Sequence, residues 1–241
     1  MTIVNNTGAS ILIALLSTLV GTAVSQAEEA KIVMTAIGRV LSLQTGERIG
    51  TGFVAGETHN VFMPAHVAIK DTLLFQPHKS LYKFRIAIKY ILDEFDLAIY
   101  QRTGGEQPVT YPLGNLDRMQ PGDPVVYFGW ENDSTLNGVA TIISAKGQTI
   151  HKDEIVDFID LQGHGIPGYS GGPVFNLQGQ VVAMVVQGWD IVPLNSKTPV
   201  RVMRAFSVDL LRVLEKNLNS STRPDTSGRA GKLRLETLIE K

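Results

Sequence analysis

What most limits the folds open to this chain is a series of short apolar or alternating runs, each closed off by Gly, Pro, Asn or Asp. They lie at Ile32–Leu43, Gly50–Ala55, Val61–Pro64, Leu73–Gln76, Phe84–Leu92 and Leu97–Tyr100, then at Val125–Trp130, Gly138–Ser144, Ile155–Leu161, Val174–Asn176, Val181–Gln187 and Val202–Ser207. Runs of this length bounded by turn residues mark strands, and many of them in succession predict an all-β sandwich or a pair of barrels. Gly104–Pro112 carries two Gly, two Pro and polar residues, and reads as a connection between two halves of similar size, about 31–103 and about 113–206. After Ser207, Asp209 and the leucines at 210, 211, 214 and 218 predict a capped amphipathic helix over 207–218 that packs on the second half. The Ser-, Thr- and Gly-rich stretch that follows predicts a flexible tail over 219–241.

The amino-terminal end has a different character. Ile11 to Val24 is almost wholly apolar and leads into Ser25-Gln26-Ala27, with small residues at the two positions a signal peptidase reads. The run is shorter than the ~20 residues of a bilayer-spanning helix. It predicts a signal peptide over 1–27, cleaved after Ala27, and a mature domain over 28–218. With the signal removed, no stable membrane association is expected. The chain has no cysteine, which excludes disulfides, thiolate metal sites and a cysteine nucleophile. An exported, cysteine-free domain fits a bacterial periplasm or secretion to the medium. Net charge is -1, with Lys and Arg dispersed, so no nucleic-acid groove or polybasic membrane patch is expected.

The sharpest local signal is Gly168-Tyr169-Ser170-Gly171-Gly172-Pro173. A serine on a tight turn framed by glycines is either a plain hairpin turn or a nucleophile whose neighbouring amides face a developing oxyanion. The second reading needs an imidazole to take the hydroxyl proton and a carboxylate to orient that imidazole. Of five histidines, His66 lies where the apolar run Val61-Phe62-Met63-Pro64-Ala65 ends. Asp96 enters the apolar strand Leu97-Ala98-Ile99-Tyr100, and a carboxylate there needs a donor. Each residue has an ordinary structural reading by itself, but the three together point to acyl transfer. No two histidines show ligand-like helical spacing, so a histidine metal site is not expected.

Thr51-Gly52-Phe53, Ala65-His66-Val67, Phe95-Asp96-Leu97-Ala98 and Pro167-Gly168-Tyr169-Ser170-Gly171-Gly172-Pro173, in that order, resemble the trypsin-like serine peptidases, above all the HtrA (Deg) branch. The resemblance spans roughly residues 32–218. It implies two six-stranded antiparallel β-barrels of chymotrypsin type with a C-terminal helix, and a serine endopeptidase acting on protein or peptide substrates through an acyl-enzyme, with no metal or organic cofactor. It further implies Ser170 as nucleophile, His66 as general base, Asp96 as the group orienting it, and the amides of Gly168 and Ser170 as the oxyanion hole. The primary pocket would be lined by 163–167 and 184–188, with His164, Ile166, Val185 and Val186 as substrate-binding residues. Neither segment holds an acidic residue, so a small to medium apolar side chain is expected rather than Arg or Lys.

Three departures qualify the likeness. Met63-Pro64-Ala65 stands where the family usually has Thr-Asn-Ala or Thr-Ala-Ala, and Tyr169 replaces the Asp or Asn before the serine. HtrA proteins normally carry PDZ domains after the protease, and this chain is expected to lack one. Gly163, Gly165 and Gly168 make the loop deformable, which predicts an oxyanion hole ordered by substrate. Two alternatives were weighed: an inactive binding module on the same fold, and an esterase, although the order His, Asp, Ser is the reverse of the α/β-hydrolases.

Overall fold

The computed structural model describes residues 34–68, 72–104, 109–131, 135–163, 167–192 and 197–212. Each of the twelve sequence runs becomes a strand. The first six are β1 (Ile37–Ser42), β2 (Arg48–Ala55), β3 (Asn60–Met63), β4 (Leu73–Pro77), β5 (Phe84–Leu92) and β6 (Leu97–Arg102). The second six are β7 (Pro124–Trp130), β8 (Leu136–His151), β9 (Glu154–Gln162), β10 (Pro173–Phe175), β11 (Val181–Ile191) and β12 (Val200–Ser207). They close into two antiparallel barrels with strand orders β1-β2-β3-β6-β5-β4 and β10-β11-β12-β9-β8-β7. Closure leaves neither sheet with a free outer strand, the usual answer to the edge problem of short-stranded folds.

Inward-pointing residues of alternating strands fill each barrel. In the first, Phe53 and Phe62 face each other across the β2–β3 ladder with rings 5.7 Å apart, and Ile37, Leu73, Phe75, Ile86 and Ile99 complete the centre. In the second, Val125, Tyr127, Ile143, Ile159, Leu161, Val182 and Val185 are packed together. Each large side chain of this kind contributes about 1.5–3 kcal/mol by leaving water. The core of the first barrel continues into the second, taking in Phe175, Met184, Val186 and Phe206, and Tyr111 of the connection packs 4.7 Å from Phe175, which in turn lies 5.7 Å from Phe128. The connecting segment is tied to both sides, through Ala55↔Tyr111 and Leu113↔Val181. The cleft between the barrels is therefore held by both packing and main-chain bridges.

β8 runs seven residues beyond the stretch read from sequence, to His151. Its outer part is polar and pairs residue by residue with β9, from Ala145↔Asp160 to His151↔Glu154. Backbone pairing extends this hairpin where burial gives little help. At the other end, β12 keeps Ser207, and helix begins only at 209. The Ser207 hydroxyl accepts the Asp209 N–H at 3.0 Å, while Asp209 accepts the Leu116 N–H at 3.2 Å. Val208 and Leu211 are buried in the cluster that spans both barrels. The remainder of the expected helix, the tail 219–241 and the expected signal 1–27 lie outside the described residues.

Candidate active site

His66 sits three residues beyond the end of β3. Pro64 opens a turn whose carbonyl accepts the N–H groups of Val67 (3.2 Å) and Ala68 (3.1 Å). A proline suits the first position of such a turn, where its missing N–H has no role. The unusual Pro64 therefore fixes the backbone that carries His66 instead of disturbing it. His66 is half exposed in the cleft, while Asp96 is buried behind it. Asp96 closes a short 3-10 turn over Asp93–Phe95 in the left-handed conformation, φ 47°, a region that Asp tolerates better than most residues. Its carboxylate accepts the His66 main-chain N–H at 2.9 Å and stands 2.7 Å from Nδ1. A carboxylate only accepts, so Nδ1 carries the proton and Nε2 presents a lone pair.

Ser170 lies across the cleft in the turn before β10. Gly168 and Gly171 adopt φ of +110° and +89°, values for which a side chain would be strained. Space enforces the same choice. An added Cβ would stand 2.2 Å from Arg48 Nη1 at Gly168, 2.0 Å from the Thr51 carbonyl oxygen at Gly171 and 1.7 Å from the Phe128 carbonyl oxygen at Gly172. Three carbonyls of the turn are held: Gly168 O by the Thr51 hydroxyl (2.6 Å), Tyr169 O by Gly172 N–H (2.9 Å) and Ser170 O by Thr51 N–H (3.2 Å). Among the described residues, no acceptor is bonded to the N–H of Gly168 or Ser170. The Ser170 hydroxyl donates to the Val186 carbonyl at 3.3 Å, and no hydrogen bond joins it to His66.

The model of the trypsin-like peptidase domain matches residues 21–184, most of the length over which the two barrels and the site are built. This chain belongs to the trypsin-like peptidase family. Among curated relatives, it is 28% identical over 143 residues to a probable periplasmic serine endoprotease DegP-like from Marinomonas sp. (strain MWYL1), covering 58% of this chain and 30% of that protein. It is 36% identical over 138 residues to the DegP-like protein of Pseudomonas fulva (strain 12-X), covering 57% of this chain and 29% of the relative. The chain thus matches under a third of the length of these relatives. Among solved structures, the HtrA-type protease AlgW with decapeptide superposes with a TM-score of 0.61 at 17% identity, over 77% of this chain and 65% of that one. The chymotrypsin-like fold and the HtrA/Deg-type resemblance are both borne out.

Within this trypsin-like peptidase domain, Tyr169 takes the place of a charged or amide side chain and is used differently. Its ring is buried against Gly129, where an added Cβ would lie 2.3 Å from it, and packs edge-on to Tyr127 at 5.9 Å. Burial pushes its phenol pKa up, opposed by a hydrogen bond with Asn137 and reinforced by Glu131. Tyr169 anchors the Ser170 turn in the second core by packing. Val185 is fully buried in that same core, with its N–H and C=O bonded to Gly172 and Gly171. Val186 is buried in the core that joins the barrels, and it is its carbonyl that reaches Ser170. Both valine side chains are packing positions, because a register shift in β11 between Val185 and Gln187 lets the two adjacent residues enter different cores. His164 and Ile166 lie outside the described residues.

Beyond Met184, β11 pairs with β12 alone, because β10 covers only 181–184. From Val186 onward, among the described residues, no strand pairs with its other edge, which lies beside Ser170. A cavity of about 470 Å³ lined by Leu113, Asn115, Arg118, Asn176 and Gln180 lies on the second barrel and includes none of His66, Asp96 and Ser170. Sequence reasoning missed Arg48, which donates to the Trp130 carbonyl at 2.8 Å beside Gly168. It quoted Thr51 only as part of a motif; a hydroxyl inside a strand otherwise built for burial was the signal available.

Proposed function

We propose that this chain is a serine endopeptidase in which Ser170 attacks the peptide carbonyl, His66 is general base and then acid, and Asp96 orients the imidazole. The observation that carries the reading is the His66 ring, fixed through Nδ1 by a buried carboxylate, on a turn whose Pro64 lies against Gly171 next to Ser170. On substrate binding, the Ser170 hydroxyl turns from the Val186 carbonyl to His66 Nε2. Its oxygen bonds to the scissile carbon as the proton passes to Nε2, and the carbonyl oxygen becomes an oxyanion facing the amides of Gly168 and Ser170. Collapse breaks the C–N bond and His66 protonates the leaving amine. Water then repeats the sequence on the acyl-enzyme and frees Ser170.

A peptide substrate is supported by the open edge of β11. The Val186 carbonyl, once released by Ser170, accepts an N–H from an extended chain lying along 186–191, a β-augmentation mode of recognition. A small to medium apolar residue before the cleaved bond remains the specificity we propose, now shaped by main chain and by 163–167 rather than by the Val185 and Val186 side chains. Export to the periplasm is proposed from the amino-terminal pattern, in line with the names of the relatives as periplasmic endoproteases.

The test is labelling of the purified chain with a fluorophosphonate probe beside Ser170→Ala and His66→Ala, together with casein hydrolysis. Labelling of the parent and of neither variant supports the peptidase. An inert, folded parent, unresponsive even with added peptides, returns the chain to the role of an inactive binding module.

A further inference from the structure

We infer that Thr51 is a positioning residue for the oxyanion donors, acting from the opposite barrel through its hydroxyl; the inference rests on the peptidase reading. Thr51 lies in β2, and its side chain is fully buried. A hydroxyl buried in a strand that would accept Val at equal volume costs desolvation unless it is bonded. Here it donates to the Gly168 carbonyl at 2.6 Å and accepts the Trp130 N–H at 3.4 Å. The same residue donates its own N–H to the Ser170 carbonyl at 3.2 Å, and its carbonyl oxygen stands 2.0 Å from where Gly171 would carry a Cβ.

These contacts grip the peptide planes on either side of the Ser170 amide. The Thr51 hydroxyl fixes the Gly168–Tyr169 plane, Thr51 N–H fixes the Ser170–Gly171 plane, and Gly172 N–H holds the Tyr169 carbonyl between them. With those three planes set, the Ser170 N–H has one direction, in a turn whose Gly168, at φ +110°, has no side chain to limit its rotation. The hydroxyl thus supplies the restraint that the glycine lacks. Thr51 also lies two residues before Phe53, which pairs with Phe62 on the strand leading to His66. One strand therefore carries the clamp on the nucleophile turn and supports the base.

Donors aimed at an oxyanion act in the transition state, so loosening them lowers kcat with little change in KM. The experiment compares the parent with Thr51→Val and Thr51→Ser, using peptide hydrolysis normalised to active sites titrated with a fluorophosphonate. We expect Thr51→Val to lose about 10- to 100-fold in kcat per titrated site, within the range for loss of an oxyanion contact. KM and the shape of the pH profile are expected to hold, because His66 and Asp96 are untouched. Thr51→Ser is expected to recover most of the rate, and amide hydrogen exchange over 168–172 is expected to speed up in Thr51→Val alone. An active parent with an unchanged Thr51→Val rate per titrated site overturns the inference by itself. So does a loss explained wholly by fewer titratable sites, or one that serine fails to rescue. A parent that neither labels nor cleaves overturns the peptidase reading, and the inference with it.

Discussion

Asp96 holds His66 at two points, with one carboxylate oxygen on the main-chain N–H at 2.9 Å and the other on imidazole Nδ1 at 2.7 Å. The first contact fixes where the residue begins and the second fixes the ring's tautomer. Asp96→Asn keeps an oxygen for the main-chain N–H but turns an amide N–H toward Nδ1. The ring must then carry its proton on Nε2, where it cannot accept one. Steady-state kinetics should show kcat lower by on the order of 10³- to 10⁴-fold, with the fold retained by circular dichroism.

The glycines of the Ser170 turn are required by space as well as by conformation. Gly172→Ala would set a Cβ 1.7 Å from the Phe128 carbonyl oxygen, and Gly171→Ala one 2.0 Å from the Thr51 carbonyl oxygen at φ +89°. In both, main chain opposes main chain, and no side chain can move aside. Urea denaturation should show a loss of about 3 kcal/mol or more for each, together with loss of fluorophosphonate labelling. Gly46→Ala is the control: φ is +71° with nothing within 4 Å, so it should lose only the ~1–2 kcal/mol of left-handed strain and keep its activity.

Arg204 and Asp160 form a two-pronged ion pair between β12 and β9, with both bonds at 2.8 Å. The guanidinium is stacked 3.7 Å from the Phe158 ring centre and 4.9 Å from that of Trp189. Both partners are largely shielded from water. Arg204→Met leaves Asp160 charged and unpaired, and should lower the stability measured in urea by about 3 kcal/mol. Adding Asp160→Leu to that variant removes the stranded charge and should restore most of the loss, a coupling that a double-mutant cycle would measure.

Alkaline pH should unfold the protein through its buried phenols. Burial raises the pKa of Tyr111, Tyr127 and Tyr169 above the ordinary value of 10.0. Below that value, the phenols are protonated in both folded and unfolded chains, and their contribution is fully present. Above it, the unfolded chain loses protons that the folded one keeps, so stability falls as pH rises, by about 1.4 kcal/mol per pH unit for each such tyrosine. Urea unfolding between pH 8 and 11 measures this slope. Tyr169→Phe should make the slope shallower, at the cost of the hydrogen bond with Asn137.

The strand pattern was legible because burial on one side of a barrel wall leaves a period in the sequence, as in Phe53 and Phe62. Where pairing rests on backbone alone, as in the outer half of β8, no such period exists and the strand went unread. The C-terminal helix was placed two residues early, because Ser207 still pairs with Ala183 in the β11–β12 ladder while its hydroxyl accepts the Asp209 N–H. Ser and Asp at 207 and 209 signalled a helix start, but not which residue the sheet would keep.

By itself, the sequence determined the chemistry on offer: a serine between glycines, a histidine after one strand, an aspartate before another, and no cysteine. These are statements about residue types and local conformation, which neighbours along the chain control. Only the tertiary structure decided that Asp96 reaches both ends of His66, that Val185 and Val186 are packed into two different cores, and that Thr51 grips the Ser170 turn. Each depends on contacts between residues far apart in the chain, many of them between main-chain groups that every residue carries. A sequence does not distinguish such groups; their positions follow from how the two barrels close and meet.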